Sequence, residues 1–442
     1  MSGNHPKTRY ENTCSILPWT TSPVELLKGH HRESSRGEGR MRILWVKVGG
    51  LWPLDTGGHV RSFHIVAELA RRHRVTLLTT HGPDDDPEGL AARLPQCEEV
   101  VSIPGTIPSR TTARFALALL RSWLSPLPVD LWRCRVPALR KEISRRVAAG
   151  GVDVCVEDYL AVTPNVAVNG QVPRVLFAHN VEHMIWKRLG QVEPRMWRRV
   201  LLELEWRKMR RAEAQACARA RLTVAVSDVD RAILAARAPG ARVEAIPTGV
   251  DTAYFTPTGS PETPEALVFV GSMDWFPNDD GMMFFIEAVL PRIRREVPGI
   301  SLTVVGRDPS RRLRNAAANA AVRVTGTVSD VRPYAAEAAV FVVPLRVGGG
   351  TRLKIFEALA MGKAVVSTAV GAEGLPLVPG THFVQADAPA EFADAVVALL
   401  RDPARRRALG RAGRRLVEER YSWAQVAREF EAKCAEVVRH AC

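Results

Sequence analysis

The stretch Val340-Phe341-Val342-Val343-Pro344-Leu345-Arg346-Val347-Gly348-Gly349-Gly350-Thr351-Arg352-Leu353-Lys354-Ile355-Phe356-Glu357-Ala358-Leu359-Ala360-Met361-Gly362-Lys363-Ala364-Val365-Val366-Ser367 reads as one strand–loop–helix–strand unit. Val340 to Val343 and Ala364 to Ser367 are apolar and rich in β-branched residues, as buried strands require. Gly348, Gly349 and Gly350 let backbone approach a ligand closely. The helix is predicted to open near Thr351, so its free N–H groups and positive dipole end face that loop and suit an anion. Arg352 and Lys354 add positive charge. Glu357, at i,i+3 from Lys354, leans back toward the helix start. The unit thus offers donors for phosphate and a carboxylate for sugar hydroxyls. The same spacing also fits a tight β–α turn with a solvated helix face.

Outward from this unit the alternation recurs twice. In the first half, strands are predicted near residues 42–48, 74–80, 152–157, 173–178 and 221–226, with helical patterns at 59–72, 112–123 and 136–148. In the second, strands are predicted near 266–271, 301–306, 322–325, 340–343 and 364–367, with helices at 280–296, 351–361, 390–400 and 403–418. Near-continuous apolar strands alternating with helices indicate parallel sheets in doubly wound α/β domains. Two such halves predict a ligand cleft between them, at the C-terminal ends of the strands.

The quoted unit resembles the donor-binding signature of family 4 glycosyltransferases, retaining enzymes of the GT-B fold. Glu357 and the following Ala358-Leu359-Ala360-Met361-Gly362-Lys363-Ala364-Val365-Val366 match its second Glu and Ala-x-Ala-x-Gly-x-x-Val-Val run. The first Glu of the signature falls on Gly349 and is absent, as in a subgroup with a Gly-Gly-Gly-Thr-Arg-Leu-Lys loop. Ile246-Pro247-Thr248-Gly249-Val250-Asp251 resembles the family's Pro-Asn-Gly-Val-Asp linker, and 422–439 its last helix. The resemblance implies two Rossmann-like domains facing a central cleft: an N-terminal extension at 1–40, expected to be disordered, an acceptor domain at 41–237, a hinge at 238–264, a donor domain at 265–420 and a crossing helix at 421–442. Met41 opens a strong strand and is a candidate true start.

The resemblance also implies roles. Glu357 would hold the donor ribose. Arg352 and Lys354, with the Gly348–Thr351 backbone, would neutralise the diphosphate, because the family's Arg and Lys after the strand ending at Gly271 are missing. Ser272 and Asp280 stand near those places. Gly57 and Gly58 match a glycine loop near donor and acceptor. Arg307 and Gly326 fall where base and ribose lie. His179 would contact the transferred sugar. Each has a plainer reading: a β–α turn for Gly57 and Gly58, a core or surface histidine for His179, a solvated loop arginine for Arg307.

Other chemistries are excluded by spacing. No P-loop and no Gly-x-Gly-x-x-Gly after a strand is present. His179-Asn180-Val181-Glu182-His183 matches an inverted zinc motif, but that motif needs one helix and here the first His ends a strand. Asp84-Asp85-Asp86 reads as an acidic loop, and Asp228-Val229-Asp230 after Ser227 as a capped helix start. No metal and no further cofactor is expected beyond the nucleotide sugar as substrate. The net charge of +14 suits an anionic partner, or reflects an arginine-rich composition. The basic region 186–221, with Trp186, Trp197 and Trp206 interleaved, suits an anionic membrane face or an ordinary solvated helix. No stretch approaches a membrane span and residues 1–40 lack a signal-type apolar core. Seven scattered cysteines without a Cys-x-x-Cys fit reduced thiols.

The expectation is a retaining glycosyltransferase, cytoplasmic and peripheral on the inner membrane face. It would act on a glycan or lipid-linked glycan in bacterial polysaccharide or glycolipid synthesis, with no nucleic-acid partner. Two alternatives stand beside it: a nucleotide-sugar epimerase of the same fold, and a non-catalytic sugar-nucleotide-binding partner of a membrane assembly.

Overall fold

The computed structural model describes residues 39–440, apart from Asp55, Asp84, 109–111, 168–171, Pro194, Ser260 and 348–351. The expected extension at 1–38 lies outside the described residues, as do Gly348, Gly349, Gly350 and Thr351.

The first half holds seven strands: β1 (Arg42–Lys47), β2 (Arg74–His81), β3 (Glu99–Pro104), β4 (Val154–Asp158), β5 (Arg174–Phe177), β6 (Leu222–Ala225) and β7 (Val243–Ala245). They form one parallel sheet in the order β3-β2-β1-β4-β5-β6-β7. The second half holds β8 (Thr263–Val270), β9 (Ser301–Val305), β10 (Arg323–Val324), β11 (Ala338–Val343), β12 (Ala364–Ser367) and β13 (Val384–Gln385). These pair in the order β10-β9-β8-β11-β12-β13, again parallel. Central strands β4 and β11 are buried along their whole length, which explains the continuous apolar run of β11 and that of Val154–Val156 in β4.

Helices that position the site are α1 (Gly57–Ala70), α2 (Ala113–Trp123), α3 (Glu182–Val192), α4 (Met196–Arg219), α5 (Asp228–Arg237), α6 (Phe276–Phe284), α7 (Leu353–Ala360), α8 (Pro403–Arg420) and α9 (Trp423–Arg439). Helix α9 leaves the second half and lays Val426, Phe430, Cys434 and Val437 into the core beneath β1, β4 and β5. Where α8 passes into α9, Val250 N–H donates to Tyr421 O at 2.8 Å, and Trp423 fills the space beside Gly249.

The structure corrects several sequence expectations. Strands β3, β7 and β13 were not anticipated, and β7 falls within the segment read as hinge. The helix expected at 280–296 opens earlier, at Phe276 with Pro277 in its first turn, and a π-helical turn at Phe285–Val289 interrupts it. Pro291, in the first turn of the piece that follows, has no N–H to continue the α ladder. The basic region is two helices, α3 and α4, not one.

Helix α7 lies hard against α8. A Cβ at Gly410 would sit 1.9 Å from the Gly362 carbonyl oxygen, so only hydrogen fits. Gly410→Ala must push α8 off α7 and should cost about 1–3 kcal/mol by overpacking. Urea unfolding at equilibrium measures it; an unchanged midpoint would show the contact to be soft.

Candidate functional site

Strands β8, β9, β11 and β12 end on one edge, and α7 starts there. Arg352 precedes α7 in a left-handed conformation, φ +50° and ψ 31°. A right-handed helix cannot include such a residue, so α7 begins at Leu353 rather than near Thr351. Arg352 is buried, and its Nε and Nη2 have no hydrogen-bond partner among the described residues. The closest carboxylate, Glu373, stands 3.9 Å from Nη2, beyond hydrogen-bond reach. Burial lowers the Arg352 pKa, with Glu373 opposing and Arg188 of the first half adding to the depression. Buried donors without partners are rare in folded proteins and call for an acceptor.

Lys354 is the second residue of α7, at the same edge. Its ammonium donates to Asn278 Oδ1 at 2.7 Å and sits 4.3 Å from the Phe269 ring centroid. Asn278 Nδ2 in turn donates to the Ser272 carbonyl at 2.7 Å. A Cβ at Gly271 would lie 2.6 Å from Lys354 Nζ, so Gly271 makes room for the cation. Burial, and Arg352 after it, pull Lys354 down to about 7, with Glu357 opposing. Burial pushes Glu357 up to about 7, against the pull of Lys354. Burial thus disfavours the charged form of both groups, and an oppositely charged ligand would restore it.

Ser272 Oγ donates to Asp274 Oδ1 at 2.5 Å, and Arg307 Nη2 reaches Asp274 Oδ2 at 3.4 Å. Gly326 has φ +69° and bridges to Gly306 where β9 and β10 end. Asp280 pairs with Arg346 through two bonds of 2.5 and 3.0 Å. Gly271, Ser272, Arg307, Arg352, Lys354 and Glu357 thus belong to one strand-end cluster.

The first half contributes a buried hub at the end of β4. Asp158 accepts from Trp45 Nε1 at 3.0 Å and His179 Nε2 at 2.8 Å, and pairs with Lys47 at 3.5 Å. Burial would raise the Asp158 pKa, but Lys47, His179 and Ser62 together hold it below the usual carboxylate range. His179, two residues past β5, is 2% exposed. Burial pulls its pKa to about 4 despite Asp158, so the ring is neutral at pH 7. With Nε2–H committed to Asp158, Nδ1 is a lone-pair acceptor, buried and without a hydrogen-bond partner among the described residues. Tyr159 stacks on the His179 ring at 4.1 Å between centroids, with its backbone at φ 76° and ψ 154°, a region that favours glycine.

Gly57 opens α1 behind the Thr56 cap, and a Cβ at Gly58 would lie 1.9 Å from Tyr159 Oη. Arg61, one turn on, donates to the carbonyls of Ala178 at 3.0 Å and Ile246 at 2.5 Å. It so ties the residue before His179 to the start of the linker. His183 pairs with Glu213, not with the partner of His179, so the H-x-x-E-H residues serve separate carboxylates. Ser227 caps α5 by accepting from Asp230 N–H, and Asp86 caps a short helix at Pro87–Arg93. Among the described residues, no group of three or more His, Cys, Asp or Glu is placed to hold a metal.

The halves meet at this edge. Leu353 packs against the first core, and Gly374 lies against Ser227.

Two family models match the chain: "Glycosyltransferase Family 4" over residues 56–254 and "Glycosyl transferases group 1" over residues 264–402. The chain belongs to the family 4, group 1 glycosyltransferases. It is 31% identical over 221 residues to a phosphatidyl-myo-inositol mannosyltransferase of Mycobacterium tuberculosis (strain CDC 1551 / Oshkosh), a match covering 47% of this chain and 57% of that protein. The chain thus spans little more than half the length of the curated relatives it matches. Among solved structures, sucrose-phosphate synthase (tll1590) from Thermosynechococcus elongatus superposes with a TM-score of 0.66 at 19% identity, covering 91% of this chain and 100% of that one. Anabaena Alr3699/HepE in complex with UDP-glucose gives 0.59 at 14% identity, covering 90% and 100%. At such identities these structures speak for the fold alone, and it is GT-B.

In this family 4 glycosyltransferase, sequence reasoning missed Asp158, Lys47, Tyr159, Arg61 and Asn278. One signal was available for Asp158: two carboxylates, Glu157 and Asp158, close an apolar strand and must find cations when buried. The Trp45–Asp158 bond joins residues 113 apart, which no local pattern encodes.

Proposed function

We propose that the chain transfers a sugar from a nucleoside-diphosphate sugar to a hydroxyl of a glycan or lipid-linked glycan, with retention at the anomeric carbon. The observation that carries this is Arg352: a buried guanidinium whose Nε and Nη2 have no hydrogen-bond partner among the described residues, next to Lys354 and Glu357 at the start of α7. A diphosphate leaving group satisfies those donors, and they stabilise it as the glycosidic bond breaks. Glu357 holds the ribose and His179 orients the sugar. Gly271, Ser272, Arg307 and Gly326 line the donor side, while Gly57 and Gly58 line the facing side. The leaving phosphate accepts the acceptor's proton, so no further protein base is required. The acceptor region is 41–237 and the donor region 265–420, closing about the linker to exclude water. The Anabaena structure in complex with UDP-glucose supports a nucleotide sugar as donor, and the phosphatidyl-myo-inositol mannosyltransferases support a lipid-linked acceptor.

Thermal unfolding with UDP, GDP, ADP and dTDP in turn tests this reading. One nucleotide should raise the midpoint by mass action, and Glu357→Ala should abolish the rise. No rise with any of them defeats the donor site. A new nucleotide sugar formed from donor alone would indicate epimerisation instead.

We also propose that the chain works in the cytoplasm, docked on an anionic membrane face, where a lipid-linked acceptor lies. Helices α3 and α4 carry nine Lys or Arg against four Glu. Met196, Trp197 and Val200 are exposed beside Arg195, Arg198 and Arg199, and Leu117, Leu120 and Leu124 form an exposed ridge at α2. Lys208 Nζ donates to Ser122 O at 2.8 Å, holding the two surfaces together. No helix among the described residues is long and apolar enough to cross a membrane. A variant with Arg198, Arg199, Arg210 and Arg211 changed to Glu should lose binding to anionic liposomes, at about 1 kcal/mol per charge removed. Equal binding would remove the docking surface.

A further inference from the structure

We propose that Trp275 and Phe276, on the donor side, form a carbohydrate-stacking platform that meets the acceptor held by the first half at the mouth of the cleft. The fold leaves these two large rings in solvent: Trp275 is 56% and Phe276 66% exposed. They follow β8, and in an open α/β sheet the ligand crevice lies beyond the C-terminal ends of the strands. Their backbone is held. Pro277 sits in the first turn of α6, and Asn278, three residues after Trp275, bonds both the Ser272 carbonyl and Lys354 Nζ at 2.7 Å. The rings therefore stand within one helical turn of Asn278, which holds the Lys354 ammonium proposed to bind the diphosphate.

The surroundings select the kind of ligand. Beside the rings lie Asp274, bonded by Ser272 and Arg307, and Asp280, paired with Arg346. A pyranose offers an apolar C–H face for an aromatic ring and hydroxyl edges for carboxylates and guanidinium groups. An anionic bilayer needs surplus cations, and here the arginines are already matched by aspartates, unlike the α3–α4 surface. The identity of this sugar as acceptor rests on the glycosyltransferase reading. The stacking itself does not.

The test uses full-length protein labelled with fluorotryptophan, with the Trp275 resonance assigned through Trp275→Phe. It is titrated with methyl α-mannoside, methyl α-glucoside and methyl α-galactoside. The Trp275 resonance should move saturably with at least one glycoside, and Phe276→Ala should weaken that binding about fivefold. No movement with any glycoside overturns the platform. Movement with UDP or GDP and with no glycoside also overturns it, making the pair a base-stacking site. Nucleotide-induced thermal stabilisation of Trp275→Ala separates the two readings. Its retention beside a lost glycoside response confines the effect to the platform. Absence of nucleotide stabilisation in every form, wild type included, defeats the donor site while the glycoside titration still decides the platform.

Discussion

Lys354→Ala should lower transfer by about 10²–10³-fold in kcat, the usual loss when one preorganised donor to a developing oxyanion is removed. The argument rests on confinement. Lys354 Nζ is fixed by Asn278 Oδ1 at 2.7 Å, over the Phe269 ring, in space that Gly271 leaves open. An ammonium fits that space and a guanidinium does not, so Lys354→Arg should rescue poorly. The pH signs of binding and stability run in opposite directions. Burial holds Lys354 at about 7 in the folded chain, below its ordinary 10.5. Between those values the unfolded chain binds more protons, so this group's contribution to stability improves as pH rises. Nucleotide affinity needs the charged form and should fall as pH rises, with its midpoint moved upward by the bound phosphate. Steady-state rates with any nucleotide sugar that turns over, and nucleotide affinity against pH, measure both effects. Full activity in Lys354→Ala, or a wild-type nucleotide affinity indifferent to pH above neutrality, would remove Lys354 from the site.

Asp158→Ala should be the most damaging substitution for stability, by about 3–5 kcal/mol, the cost of breaking a buried ion pair from one side. It strands the Lys47 ammonium, which is 2% exposed, together with the Trp45 and His179 N–H groups. Asp158→Asn keeps an acceptor for Trp45 and should lose less. The folded pKa of Asp158 is depressed, so its contribution is present above the unfolded carboxylate pKa and fades as pH falls through the folded one. Wild type should show this acid limb, and Asp158→Asn should show it reduced. Urea unfolding at neutral and acidic pH resolves the difference. A loss below about 1 kcal/mol for Asp158→Ala would mean that water reaches Lys47.

Local pattern and tertiary contact divide the evidence for this protein along physical lines. The two runs of β/α alternation were legible because a strand buried on both faces is apolar along most of its length, throughout in β11 and over Val154–Val156 in β4. The Arg352-Leu353-Lys354 and Glu357 unit was legible because a loop entering a helix concentrates its chemistry within one turn. Strands β7 and β13 were not, since three and two residues carry no periodicity. The start of α7 was misjudged because a left-handed φ at an arginine is imposed by its surroundings, not by its side chain. Alone, the sequence determined the architecture, the family and the helix that carries the candidate donor site. Only the tertiary structure decided which charges meet: Asp158 with Lys47, Trp45 and His179, and Lys354 with Asn278. Those pairings span strands and helices far apart in the chain, and burial makes them strong by removing the water that would otherwise satisfy each group by itself.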